Sequence, residues 1–187
     1  MIYAWISVET ATLSEPDEIL EVAVALTSSQ LEPIPGGSIS LTILPCPESR
    51  VVLAEKSCDP ALIRRMAVTK ILNEFSAGIP LPEVERAIVD LIASKSGTHA
   101  VHPIGDGVLG TVQIITRSMP ALRPILFIEH AMELAELRET ASYLWGYDPA
   151  VYHTWSRPVR AMEKVTEQMA EATFIRNWIR ANHKIGK

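Results

Sequence analysis

The side chains able to do chemistry in this chain are a few scattered carboxylates. Glu9 follows an apolar run that begins at Ile2, with the hydroxyl of Ser7 two residues ahead of it. Asp106 stands between Gly105 and Gly107, and Glu163 falls near the start of a long helical pattern, next to Lys164. Carboxylates gathered from separate elements can hold divalent cations, which favour charged oxygen ligands. A pair of such cations activates water and stabilises a leaving oxygen. Each acid also has an ordinary reading. Glu9 is a polar residue at a strand end near solvent, Asp106 suits a turn or cap, and Glu163 suits the positive end of a helix dipole.

Other chemistry is poorly represented. Gly105-Asp106-Gly107 followed by Gly110 lacks the Lys-Ser/Thr ending of a phosphate-binding loop, and no Gly-x-Ser-x-Gly elbow occurs. His99 and His102 are placed on one face of a probable strand. With no cysteine or further histidine close in sequence, they read as structural rather than as zinc ligands. Cys46 and Cys58 have no persuasive histidine partner and are too few for a disulfide framework.

The elements that must position these residues alternate in type. Residues 2–8 and 19–27 read as buried strands, and Gly36-Gly37 as a turn into a third strand over 38–44, making an antiparallel meander. Asp59-Pro60 opens a short helix over 61–67, with Asp as cap and Pro at the first helical position. After Pro80 and Pro82, Val84, Ala87, Ile88 and Leu91 recur at helical spacing, with Glu83, Glu85, Arg86 and Asp90 facing outward. A strand is expected over 99–104, a helix over 105–118 entered through glycines, and a last strand over 125–128. Leu134, Leu137, Ala141 and Leu144 mark a further helix. A loop over 146–157 carries Tyr147, Tyr152, His153 and Trp155. The final helix runs from about 158 to 182, capped by Ser156, with Met162, Val165, Met169, Ala172, Ile175 and Ile179 as its buried stripe.

The chain of 187 residues fits one domain, 1–187, with no internal repeat. Its net charge of −5 argues against a protein that coats long nucleic acid and leaves short oligonucleotides open. No run of apolar residues approaches a membrane span and no signal segment precedes Trp5, so a cytoplasmic protein without a membrane partner is expected.

Several of these segments together resemble the oligoribonucleases, a family of DEDDh 3′-to-5′ exonucleases. Ser7-Val8-Glu9-Thr10-Ala11-Thr12 is similar to that family's Asp-x-Glu-x-Thr-Gly, and Ile19-Leu20-Glu21-Val22-Ala23 to its Ile-Ile-Glu-Ile-Ala. Thr27 to Leu31 resembles Thr-Asp-x-x-Leu, and Pro103 to Gly107 resembles Asn-Ser-Ile-Gly-Gln-Asp. Met119-Pro120 matches a Met-Pro, and Glu133 to Glu139 resembles Asp-Val-Ser-Thr-Leu-Lys-Glu. Val159 to Val165 resembles His-x-Ala-x-Asp-Asp-Ile. The resemblance implies a ribonuclease-H-like α/β fold, with a mixed central sheet of three antiparallel strands followed by parallel ones, flanked by helices. It also implies a homodimer.

It further implies a site of four carboxylates and a general-base histidine, and here the sequence departs. Of the matching positions only Glu9 keeps its acid; Ser7, Gly107, Val159 and Lys164 occupy the others, with Asp106 and Glu163 each one residue early. Two-metal hydrolysis needs carboxylates around cations about 4 Å apart. A hydroxyl at 7 is a neutral substitute, and an ammonium at 164 repels a cation. A missing base alone costs about 10²- to 10⁴-fold. The expectation is therefore a catalytically degenerate exonuclease fold that needs no metal and binds short RNA, a nucleotide or a protein partner. Trp145, Tyr147, Tyr152 and Trp155 are candidates for base stacking or for a partner surface, and equally for core. The alternative is an active exoribonuclease using Mg²⁺ or Mn²⁺ through Glu9, Asp106 and Glu163, with His153 as a replacement base. Against it, one residue along a helix turns about 100°, so Glu163 cannot stand in for residue 164 without a local shift.

Overall fold

The computed structural model describes residues 1–10, 18–44, 71, 74, 77–151 and 160–182. The helix expected over 61–67, both cysteines, Val159, Tyr152, His153, Trp155 and Ser156 fall outside the described residues. The elements are β1 (Ile2–Thr10), β2 (Ile19–Ser28), β3 (Pro33–Thr42), α1 (Leu81–Ser96), β4 (Val101–Gly105), α2 (Val108–Ser118), β5 (Met132–Glu133), α3 (Leu134–Trp145) and α4 (Ala161–Asn182). Short 3-10 turns lie at Pro120–Leu122, Ile128–His130 and Pro149–Val151.

The strands form one sheet in the order β3-β2-β1-β4-β5. β1 and β2 pair antiparallel, as do β2 and β3, while β4 runs parallel to β1 and β5 parallel to β4. This is the mixed sheet expected from the sequence. β1 and β2 sit centrally, which is why they read as nearly continuous apolar runs rather than as alternating ones.

Strand periodicity splits the core in two. Ile2, Ala4, Ile6, Val22, Val24 and Leu26 face α1 and α2, where Val84, Ile88, Ile92 and Ile115 complete an apolar layer. On the other face Trp5, Ala23, Ala25 and Ile104 meet Leu134, Ala161, Val165 and Ala172. The alanines on both sides let α4 lie close to the sheet. Trp5 is fully buried here, and its indole N–H donates to Thr27 Oγ1 at 3.0 Å.

Four expectations need correction. β3 begins at Pro33 rather than 38; Gly36 and Gly37 lie within it, where the register with β2 shifts between Ala25 and Thr27. The glycines accommodate an irregularity in an edge strand, and the reversal occurs earlier, at Ser28 to Glu32. The strand expected over 125–128 is absent. Leu126 makes a single bridge to Val101, and the fifth strand is the two-residue β5, too short to show a period-2 pattern. Residue 99 precedes β4 and sits in the turn after α1, so His99 and His102 do not share a strand face. Finally, Leu144, expected on the buried stripe of α3, is exposed, whereas Tyr147 takes the core alternative, buried against Phe174 and Trp178 of α4.

Candidate functional site

Ser7 and Glu9 alternate on β1 and project to the face covered by α4. The antiparallel register sets Ala23 opposite Ser7 and Glu21 opposite Glu9. Two carboxylates thus lie side by side across β1 and β2, with only 3% of either side chain exposed. Like charges directly opposite repel, and buried charges require partners. The start of α4 supplies them.

Lys164 Nζ donates to Glu9 Oε1 in a short charge-assisted hydrogen bond. One turn earlier, Arg160 addresses Glu21 through two nitrogens: Nε to Oε2 at 3.0 Å and Nη2 to Oε1 at 2.9 Å. That fork is the strong geometry for an arginine and a carboxylate. Glu21 also accepts the Ala161 backbone N–H at 3.0 Å and the Ser40 hydroxyl at 3.2 Å. It therefore caps α4 as well as neutralising Arg160. The outer side of the guanidinium meets Glu74, with Nη1 to Oε1 at 2.9 Å and Nη2 to Oε2 at 2.7 Å. The Arg160 bonds, joined by one from Thr42, hold the Glu74 carboxyl down at about 2. The two carboxylates in turn push the Arg160 guanidinium above its ordinary value.

The other expected residues go elsewhere. Asp106 is exposed at the end of β4 and faces Arg138 at 3.4 Å. Arg138 is held more tightly by Glu171 of α4, at 2.7 and 2.8 Å, which raises the pKa of its guanidinium. Gly107 adopts a left-handed φ of 64° at the entrance to α2. Its N–H and that of Leu109 both donate to Glu133, at 2.8 and 3.0 Å. A carboxylate from β5 thus closes the positive end of α2. Glu163 is exposed, and its carboxylate reaches back to accept the Arg160 backbone N–H at 3.2 Å, the reciprocal half of a capping box.

Such an arrangement neutralises charge, caps helices and clamps α4 to the sheet. It does not fit a divalent cation. Among the described residues no three His, Cys, Asp or Glu side chains are grouped so as to hold one. Ser7 is neutral, and the ammonium of Lys164 lies on Glu9, where a cation would have to bind.

Sequence reasoning missed Glu21, Arg160 and Glu74 as members of this cluster. Glu21 carried a signal, since it is the lone charge within a run of buried branched residues and had to be paired. Arg160 carried none, because its partner lies 139 positions away.

No family model matches the chain. An oligoribonuclease of Tropheryma whipplei (strain Twist) is 28% identical to it over 176 residues, covering 92% of this chain and 90% of the relative. Among solved structures, the zinc-bound complex of Escherichia coli exonuclease I with single-stranded DNA superposes with a TM-score of 0.65 at 15% identity, covering 95% of this chain. The cell-death related nuclease CRN-4 gives 0.63 at 11% identity, again over 95% of this chain. The chain spans 40% of the exonuclease I chain and 64% of the CRN-4 chain. The fold is that of the ribonuclease-H-like exonucleases. In sequence the chain is similar to the oligoribonuclease over most of its length. Among the described residues no helix is long and apolar enough to cross a membrane.

Proposed function

We propose that this protein keeps the exonuclease fold without two-metal hydrolysis and binds short nucleic acid or a nucleotide beside Glu9 and Lys164. The observation that carries the reading is the contact of Lys164 with Glu9. The ammonium neutralises the one family carboxylate retained at its own position. Lys164 keeps 31% of its side chain exposed, and an ammonium has three donors, so it can meet a phosphate while still paired to Glu9. Nucleic-acid binding is supported by the oligoribonuclease relative and by the exonuclease I complex with single-stranded DNA. A homodimer is part of the same reading and is tested by sedimentation.

The deciding experiment is hydrolysis of a 5′-labelled RNA dinucleotide and pentamer with Mg²⁺ or Mn²⁺, beside Glu9→Ala, with fluorescence anisotropy on the same RNAs. Saturable binding without cleavage, weakened in Lys164→Met, is the expected result. Metal-dependent cleavage abolished by Glu9→Ala overturns the reading and establishes an active exoribonuclease. Neither binding nor cleavage also overturns it and leaves a protein partner as the object of the fold.

A further inference from the structure

The other end of α4 contains a cavity of 310 Å³, between the helix, the first residues of β1 and α3. Its walls are apolar, with Ile104, Leu137, Trp145, Ile175 and Ile179 prominent among them. This volume lies in the range that holds small molecules, whose sites are mostly apolar with a few placed polar groups. The charged groups here are cationic. Arg176 and Arg180 both line the cavity, one helical turn apart. Arg180 is steadied by a 2.8 Å bond to the Gln30 side chain in the β2–β3 turn, and Arg176 donates to the neutral Asn177 amide oxygen at 3.2 and 3.3 Å. Among the described residues neither guanidinium has a carboxylate within 4 Å, in contrast to Arg138 and Arg160.

The turn that closes this side is itself strained. Leu31 lines the cavity with φ of 59°, a left-handed conformation that is costly for a branched apolar residue. Its side chain packs against the apolar cluster of Trp5 and α4. Strain held in place beside a cavity, rather than relieved by glycine, is the kind of outlier that marks a ligand site.

We infer that this cavity binds a small amphipathic anion, with an apolar body in the pocket and an acidic head group on Arg176 and Arg180. Besides the arginines, the lining carries the polar atoms of Tyr3, Ser29 and Trp145 on walls that are otherwise apolar, which favours a hydrocarbon body over a nucleotide. The site is separate from the carboxylate cluster, since it is built on the opposite end of the same helix.

Decanoate is the probe, titrated into the full-length protein by calorimetry, with decanol and guanosine monophosphate beside it. Decanoate should bind saturably, and decanol at least ~10-fold more weakly, as expected for loss of charge-assisted hydrogen bonds. The double variant Arg176→Ala/Arg180→Ala should weaken decanoate by a similar factor and leave decanol unchanged. Ser29 lines the cavity and is exposed, so Ser29→Trp obstructs the pocket from the surface without touching the core; it should abolish binding while leaving the melting temperature intact. The inference is overturned by equal binding of decanoate and decanol, by preference for guanosine monophosphate, by indifference to Ser29→Trp, or by no saturable binding.

Discussion

The two ends of α4 are built to opposite rules. At its start, Arg160 and Lys164 each meet a carboxylate buried in the sheet, and the cations are consumed by the fold. Near its end, Arg176 and Arg180 border an apolar cavity, and no carboxylate among the described residues neutralises them. One helix therefore carries two pairs of cations at the same one-turn spacing, and only the first pair is structural. The reason is the sheet beneath. β1 and β2 present Glu9 and Glu21 toward the start of α4, whereas β1 and β4 present Tyr3 and Ile104 toward its end. The helix alone does not tell which cations are free; the strand facing them does.

The largest expected effect comes from breaking the first end. Arg160→Met leaves Glu21 buried without its cation, and loss of one member of a buried pair costs about 3–5 kcal/mol. Urea denaturation measures this, and a loss below about 1 kcal/mol would show that Glu21 does not depend on Arg160. Lys164→Met should cost about 2 kcal/mol, less because Lys164 is partly solvated. Most of that should return in the double variant Glu9→Gln/Lys164→Met, since the glutamine carries no charge. Additive losses in that cycle would mean the two side chains are not coupled.

Glu133→Ala removes the carboxylate from the start of α2 and should cost about 1 kcal/mol, as loss of a helix cap does. Hydrogen exchange localised to the first turn of α2 is the sharper readout, and unchanged protection at Leu109 would contradict the cap. A smaller effect concerns pH. The Glu74 carboxyl is held at about 2 against an ordinary 4.5, so its contribution is complete above about 4.5 and disappears as pH falls toward 2. With nearly half the side chain in water, the effect is modest. Wild type and Glu74→Gln should differ in stability above that window and converge below it; a constant difference at all pH values would refute the assignment. The smallest effect is expected at the far end. Arg176→Ala/Arg180→Ala should change stability by no more than about 0.5 kcal/mol. A large loss would make both ends structural and erase the comparison.

The fold was legible because its signals are local. Branched apolar runs announced β1 and β2, and the 3.6-residue stripe announced α1 and α4, down to Val165, Ala172, Ile175 and Ile179 on the buried side. Legibility failed where an element was too short for a period to register, as in β5, and where glycines served an edge-strand irregularity instead of a turn. The site was legible in part. The loss of acid at Ser7 and Lys164 could be read directly, as could the retention of Glu9. The helix-end reading of Glu163 was likewise available from the sequence, whereas the turn of Asp106 outward to Arg138 was not.

By itself the sequence determined the chemistry available to this protein. It set which positions carry acid, which carry cations, and which runs must be buried, because residue type and local period depend on nothing beyond neighbours in the chain. Only the tertiary structure decided how those charges are spent. Glu21 and Arg160 are 139 residues apart, and their pairing depends on the register of β1 with β2 and on how α4 crosses the sheet. The same crossing sets two equivalent pairs of basic residues over different ground, and the burial of a carboxylate or of a hydrocarbon wall beneath them makes one pair a clamp and the other a site.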